Sequence, residues 1–116
     1  QGNPLAGSDV RIPDSTVLLV DSGYTIIKWH NASNTLPGSF NTTLLENTAY
    51  IPGLSVNKNR KLWQGQEKDA IEGRHPGKTV NVGFADGHCE RVEAEELLVD
   101  SKGNPLGKKG IRWKAK

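Results

Sequence analysis

The residues whose types and spacing could carry chemistry are Asp21, His75, Asp86 and His88, with Asp14, His30 and Glu90 further out. Imidazole and carboxylate are the raw material of a zinc or other divalent-cation site, and of general acid–base work. The spacing fits no metal signature: the chain has no H-x-H, no H-E-x-x-H and no C-x-x-C. His75 and Asp86 flank an expected strand and could meet if the chain before Thr79 curled over the turn. A structural reading competes with metal binding and catalysis. In it, Asp86 serves the turn itself, and His75 is a loop histidine bonded to a carbonyl or carboxylate, pinning a hairpin.

Other candidates are bland on inspection. Cys89 as a nucleophile would need a neighbouring base and an exposed, electropositive setting, and it is expected in the core instead. A single cysteine also excludes an internal disulfide. No serine sits in a G-x-S-x-G elbow. Glu95 and Glu96 are adjacent, so on a helix they point about 100° apart and read as a solvated face. Gly73-x-x-x-Gly77-Lys78-Thr79 is one residue short of a phosphate-binding loop, and a strand follows where a helix is required. Trp29, Trp63 and Trp113 could stack on sugars, or anchor core and edges.

The elements that position these groups centre on residues 71–92. Residues 79–85 alternate, with Val80, Val82 and Phe84 on one side, which is the period of a half-buried strand. Asp86-Gly87 suits a two-residue type I′ turn, and residues 88–92 can return antiparallel. That register sets Ala85 against His88, Phe84 against Cys89, Gly83 against Glu90 and Val82 against Arg91. Cys89 then lies on the apolar face, with His88 and Glu90 pointing away.

Residues 1–15 read as an extended lead-in ending in the turn chemistry of Pro13-Asp14-Ser15. Residues 16–20 are almost wholly apolar and predict a strand covered on both faces. After Asp21-Ser22-Gly23, residues 24–29 predict the return arm of a second hairpin. Periodicity dissolves over 30–65, a long loop rich in Asn and carrying Pro37-Gly38 and Pro52-Gly53. Asn31-Ala32-Ser33 and Asn41-Thr42-Thr43 match the glycosylation acceptor pattern, which is common by chance. Residues 66–72 predict one or two helical turns before Gly73. Residues 93–98 predict a helix with acids at its start, ended by Gly103. Residues 103–107 read as a turn and 111–113 as a short edge strand, within a basic tail over 103–116.

The 116 residues suffice for a single domain with one core. A hydrophobic share of 34% with plentiful Gly, Pro, Asn, Ser and Thr favours an α+β fold, a small antiparallel sheet with long irregular loops, over a helical bundle. The net charge of +2 is too weak to argue for nucleic acid. The longest strongly apolar run is Val17–Val20, far short of a membrane span. The chain opens Gln1-Gly2-Asn3-Pro4 and contains no Met, so a processed or truncated product is expected.

Arg74-His75-Pro76-Gly77-Lys78, followed by Asn81-Val82-Gly83-Phe84-Ala85-Asp86-Gly87-His88, resembles a pattern found in a large bacterial group of prepilin-like, type II secretion pseudopilin-like proteins. Their C-terminal signature is a histidine, nine residues and Asp-Gly. Residues 12–22, IPDSTVLLVDS, are similar to that group's earlier block, I-x-x-P-S-x-x-x-L-x-x-D-S. The two blocks cover about a fifth of the chain, in the expected order. The chain departs from the group twice. Ten residues separate His75 from Asp86, placing one extra residue in the 76–80 turn. The group's basic leader, prepilin-peptidase site and long apolar N-terminal helix have no counterpart in these residues.

The resemblance implies a pilin-type head domain over 1–116, a structural subunit of a pilus or pseudopilus rather than an enzyme. It implies homo-oligomer or filament partners, with the missing helix supplied by the parent polypeptide or a separate helical chain. The implied location is the periplasmic face of the inner membrane or an extracellular filament. Asp21, His75, Asp86, Gly87 and His88 would be motif residues of structural purpose, with no catalytic residue to carry over. No cofactor is expected. Some heads of this group hold calcium in a C-terminal loop that does not map onto this chain, and a divalent cation, if bound, would be sought at Asp21, His75 and Asp86. Two other readings stand beside this one. One is an extracellular carbohydrate- or surface-binding module using exposed tryptophans, and the other is a small metal-dependent hydrolase built on His75, Asp86 and His88.

Overall fold

A computed structural model describes residues 14–23, 26–35 and 49–114. Its centre is strand β2, Thr79–Phe84, flanked antiparallel by β1, Val17–Val20, and β3, Cys89–Glu93. Alternation in β2 does what its period requires. Val80, Val82 and Phe84 are buried, while Thr79, Asn81 and Gly83 face outward. Each of those three apolar side chains contributes about 1.5–3 kcal/mol by leaving water.

β1 pairs with β2 through an irregularity: Val17 faces Phe84, Leu19 faces Gly83 and Val20 faces Val82. Leu18 is the extra residue, a bulge that resets the alternation. Val17 and Val20 therefore both pack against the core, whereas Leu18 and Leu19 are 59% and 70% exposed. The expectation of a strand covered on both faces fails for that reason. The expected second hairpin also fails where it is described. Ile26–Lys28 form no strand, Trp29–Ala32 make a 3-10 turn, and β2 takes the pairing edge meant for the return arm. Tyr24 and Thr25 lie outside the described residues, as do residues 1–13 of the lead-in.

Under the sheet lies a layer that sequence periodicity did not reveal. Ala49, Tyr50, Ile51, Pro52, Gly53 and Leu54 are all buried, inside the stretch expected to be loop. A 3-10 turn, Ser55–Asn59, leads from them towards helix α1, Gln64–Glu72. Asn57 is the pin: its Nδ2 donates to the carbonyl of Ile51, and to that of Ala70 at 3.3 Å. Buried carbonyls left by irregular backbone need such partners. α1 begins two residues earlier than expected and stops at Gly73, whose φ of 84° suits only glycine.

Residues 93–98 yield a single 3-10 turn, Ala94–Leu97, in place of the expected helix. The backbone is claimed by tertiary bonds instead: Val99 N–H donates to Ala32 O at 3.1 Å and Leu106 N–H to Leu98 O at 2.9 Å. The expected edge strand at 111–113 reduces to one parallel bridge, Thr16 with Arg112. Ile111 is buried in the core, and Trp113 Nε1 donates to Leu97 O at 3.0 Å. The result is an α+β fold: a small antiparallel sheet, one α-helix and short 3-10 turns. Among the described residues no helix is long and apolar enough to cross a membrane.

Candidate functional site

Asp21 lies just beyond β1, its N–H donating to Asn81 O at 3.2 Å. The carboxylate turns back towards β2. Its Oδ2 accepts from the Asn81 N–H at 2.9 Å and from His75 Nε2 at 3.2 Å. A carboxylate only accepts, so Nε2 carries the proton in this contact. The two side chains are 28% and 30% exposed, half-screened from water. His75 is held from its own side as well. It pairs with Thr79 across a tight turn, Pro76–Lys78, in which Gly77 and Lys78 both take left-handed φ values of 73° and 55°. Here the chain is wound into a 3-10 turn before the strand begins.

The same end of the sheet is braced from below. Gly23 N–H donates to Tyr50 O at 2.8 Å, and the Tyr50 hydroxyl donates to Asp69 Oδ2 at 2.9 Å. Arg74 Nε reaches the same carboxylate oxygen at 2.8 Å. Burial, followed by the bond to Asp69, pushes the Tyr50 hydroxyl pKa upward. Tyr50, Asp69, Arg74 and Asn81 were absent from the sequence-level candidates. Arg74 and Asn81 carry a sequence signal, as residues of the second block on either side of the 76–80 turn, whereas Tyr50 and Asp69 carry none.

Asp86 lies past the other end of β2, and its partner is His88 rather than His75. The hairpin explains why. Phe84 N–H donates to His88 O and Gly87 N–H to Phe84 O, both at 2.9 Å, closing a three-residue loop 85–87. Gly87 alone in that loop has positive φ, at 96°, whereas a type I′ turn would need Asp86 positive too. The register therefore shifts by one from expectation: Gly83 faces Cys89, Val82 faces Glu90, Asn81 faces Arg91 and Val80 faces Val92. A one-residue shift exchanges the faces of β3. Cys89 is exposed rather than core-packed, while His88 and Glu90 share the face of Phe84.

At this tip the His88 ring stacks on Phe84 with centroids 4.6 Å apart and planes 6° from parallel. Nδ1 contacts Asp86 Oδ1 and Nε2 contacts Glu90 Oε2 at 2.8 Å. The carboxylate of Glu90 and then that of Asp86 raise the His88 pKa, and the bonds from His88 lower that of Asp86.

The remaining candidates are separate. His30 stacks on Trp29 at 3.7 Å, and burial, with Lys28, Arg60 and Lys114 nearby, lowers its pKa. Asp14 lines a cleft beside His88 and Glu90. Asn31 is 5% exposed and its Nδ2 donates to Ala49 O at 2.9 Å, so the first acceptor pattern for a glycan is locked inside the fold. Asn41 lies outside the described residues. Glu96 is no idle surface acid, since Oε1 accepts from Lys109 N–H at 2.9 Å. Trp63 is 64% exposed, whereas Trp29 and Trp113 pack partly against the core. Lys114 Nζ also sits 4.9 Å from the Trp29 ring centroid.

Chemically, the first end is a structural junction between distant segments and the second is a local ion-paired clasp. Among the described residues, no group of three or more His, Cys, Asp and Glu side chains is arranged to hold a metal ion. Comparison with family models, curated proteins and solved structures finds no significant match.

Proposed function

We propose that this chain is the globular head of a prepilin-like or pseudopilin-like structural subunit, working by assembly into a filament or by partner contact rather than by catalysis. One observation carries the reading. The two sequence blocks that resemble the prepilin-like group meet at a single oxygen: Asp21 of the first accepts from His75 and Asn81 of the second. Residues at the heart of a recurring pattern that bond to one another, half-buried, serve architecture. The Asp-Gly of the pattern likewise serves a turn, with Gly87 at the position that needs positive φ.

Electron microscopy of native material, with intact mass spectrometry of the same sample, tests this. Regular filaments containing the chain, continuous with or accompanied by an apolar helix of about 20 residues or more, are the expected outcome. Native material consisting only of a monodisperse monomer, with no such helix in its parent polypeptide or in a partner, would overturn it.

The exposed Trp63 favours one second reading, a carbohydrate- or surface-binding module. A sugar platform needs more than one free ring, and Trp29 is engaged by His30 and Lys114. Titration of Trp63 fluorescence with oligosaccharides separates the readings, because a filament head predicts no saturable change.

A further inference from the structure

His88 is the only histidine among the described residues with a carboxylate at each ring nitrogen, Asp86 at Nδ1 and Glu90 at Nε2. Both partners accept, so both ring nitrogens must donate, and only the doubly protonated imidazolium can do that. The ring also covers Phe84, whose side chain ends the buried row of β2. We propose that the Asp86–His88–Glu90 tip is a protonation-controlled clamp: the imidazolium closes the hairpin onto Phe84, and loss of its proton releases the ring and opens the adjoining cleft.

Neutral imidazole keeps one N–H. Whichever nitrogen loses its proton then presents a lone pair to a carboxylate in direct contact with it, and attraction becomes repulsion. Little else holds the ring in place, since one face rests on Phe84 and the other edge borders solvent. The cleft beside it has a volume of about 320 Å³ and is bordered by Asp14 from the turn before β1 and by Lys109 and Ile111 from the C-terminal segment. The charged groups facing His88 are thus Asp86 and Glu90 on its own hairpin, Asp14 across the cleft and Lys109 opposing them. Three carboxylates outweigh one ammonium, so the surroundings favour the charged ring. With the proton gone, the summed charge of Asp14, Asp86, Glu90, Lys109 and His88 falls from −1 to −2 as the cleft opens.

The sign of the pH dependence follows from the two shifted groups. His88 is raised above 6.5 in the folded chain, so its contribution is complete below 6.5 and is lost as pH rises through the higher folded value. Asp86 is lowered below 3.8, so its contribution is complete above 3.8 and is lost as pH falls through the lower folded value. The clamp is closed between those limits and opens on the alkaline side.

An NMR titration of the three histidines in the whole chain, from about pH 5 to about pH 9, provides the test. His88 should titrate above 6.5, and Glu90→Gln and Asp86→Asn should each bring its midpoint down towards that value. The Gly87 and His88 amides should exchange faster once His88 is neutral. In urea unfolding, the midpoint of the wild-type chain should fall as pH rises past neutrality, and His88→Gln should remove that fall. A His88 midpoint at or below 6.5, or unfolding midpoints of wild type and His88→Gln that run parallel with pH, would overturn the clamp. The wild-type titration decides the matter even if a variant fails to fold.

Discussion

At the start of β2, His75 meets Asp21 across 54 residues of chain, whereas at its end His88 meets Asp86 and Glu90, each two residues away. The chemistry is the same and the consequence is not. The first contact closes a long loop, so it exists only when β1, β2 and the chain between them are already in place. It is backed by Gly23 on Tyr50, and by Tyr50 on Asp69 and Arg74. The second costs almost no chain entropy and is backed by one aromatic ring and a cleft. Long-range pairing with support behind it makes a fixed joint, and local pairing at an exposed tip makes one that solvent conditions can adjust.

Glycine substitutions at the two ends separate these roles most sharply. A Cβ at Gly23 would stand 2.0 Å from Tyr50 Cε2, and that ring is buried and tied by its hydroxyl to Asp69. Gly23→Ala should therefore destabilise the fold by about 3 kcal/mol, read as a lower urea midpoint, because an overpacked site with a tethered neighbour cannot yield cheaply. An unchanged midpoint would mean that Tyr50 swings aside and that the joint is softer than its bonds imply. Next in size is Asp21→Ala, about 1.5 kcal/mol. That is the low end for hydrogen bonds to a charged group, since the carboxylate is 28% exposed. Amide exchange should accelerate at Asn81 and stay unchanged at Gly87. Gly87→Ala meets no atom within 4 Å, so only its φ of 96° opposes the change. The cost should be about 1 kcal/mol and confined to the tip.

How much of this was legible in the sequence depends on how local each cause is. The strand 79–84, its hairpin and the helix before Gly73 rest on short-range periodicity and turn chemistry, and were readable. The hairpin register was not, because Asp86-Gly87 serves two loops. The two-residue form needs both residues at positive φ, and the three-residue form adopted here needs only Gly87. That single ambiguity moved Cys89 out of the core and brought His88 over Phe84. The pairing of β1 with β2 depends on residues about 60 positions apart, which no window on Tyr24–Trp29 could reveal. The buried run from Ala49 to Leu54 was hidden by Pro52-Gly53, since turn signals say how the chain bends and nothing about what packs on it. Of the site itself, Asp21, His75, Asp86 and His88 were identified as candidates. The pairing expected for His75 went to the wrong aspartate, because Asp86 was read as nearby in sequence while Asp21 is nearby in space.

The smallest expected effect tests whether the two ends are independent at all. Val20 faces Val82 and Val82 faces Glu90, so Asp21 and Glu90 stand about two inter-strand spacings apart, ~10 Å, at the edge of the range within which mutations without shared partners couple. Asp21→Ala and Glu90→Gln share no hydrogen-bond partner: one loses Asn81 and His75, the other His88. Their combined change in unfolding free energy should therefore equal the sum of the single changes within about 0.5 kcal/mol. Asp21→Ala alone should also leave the His88 titration where it was. A larger coupling, or a His88 midpoint that moves with Asp21, would mean that β2 shifts as a rigid bar between its ends. The fixed joint would then be setting the adjustable one, and the division drawn between them would give way to a single mechanical unit.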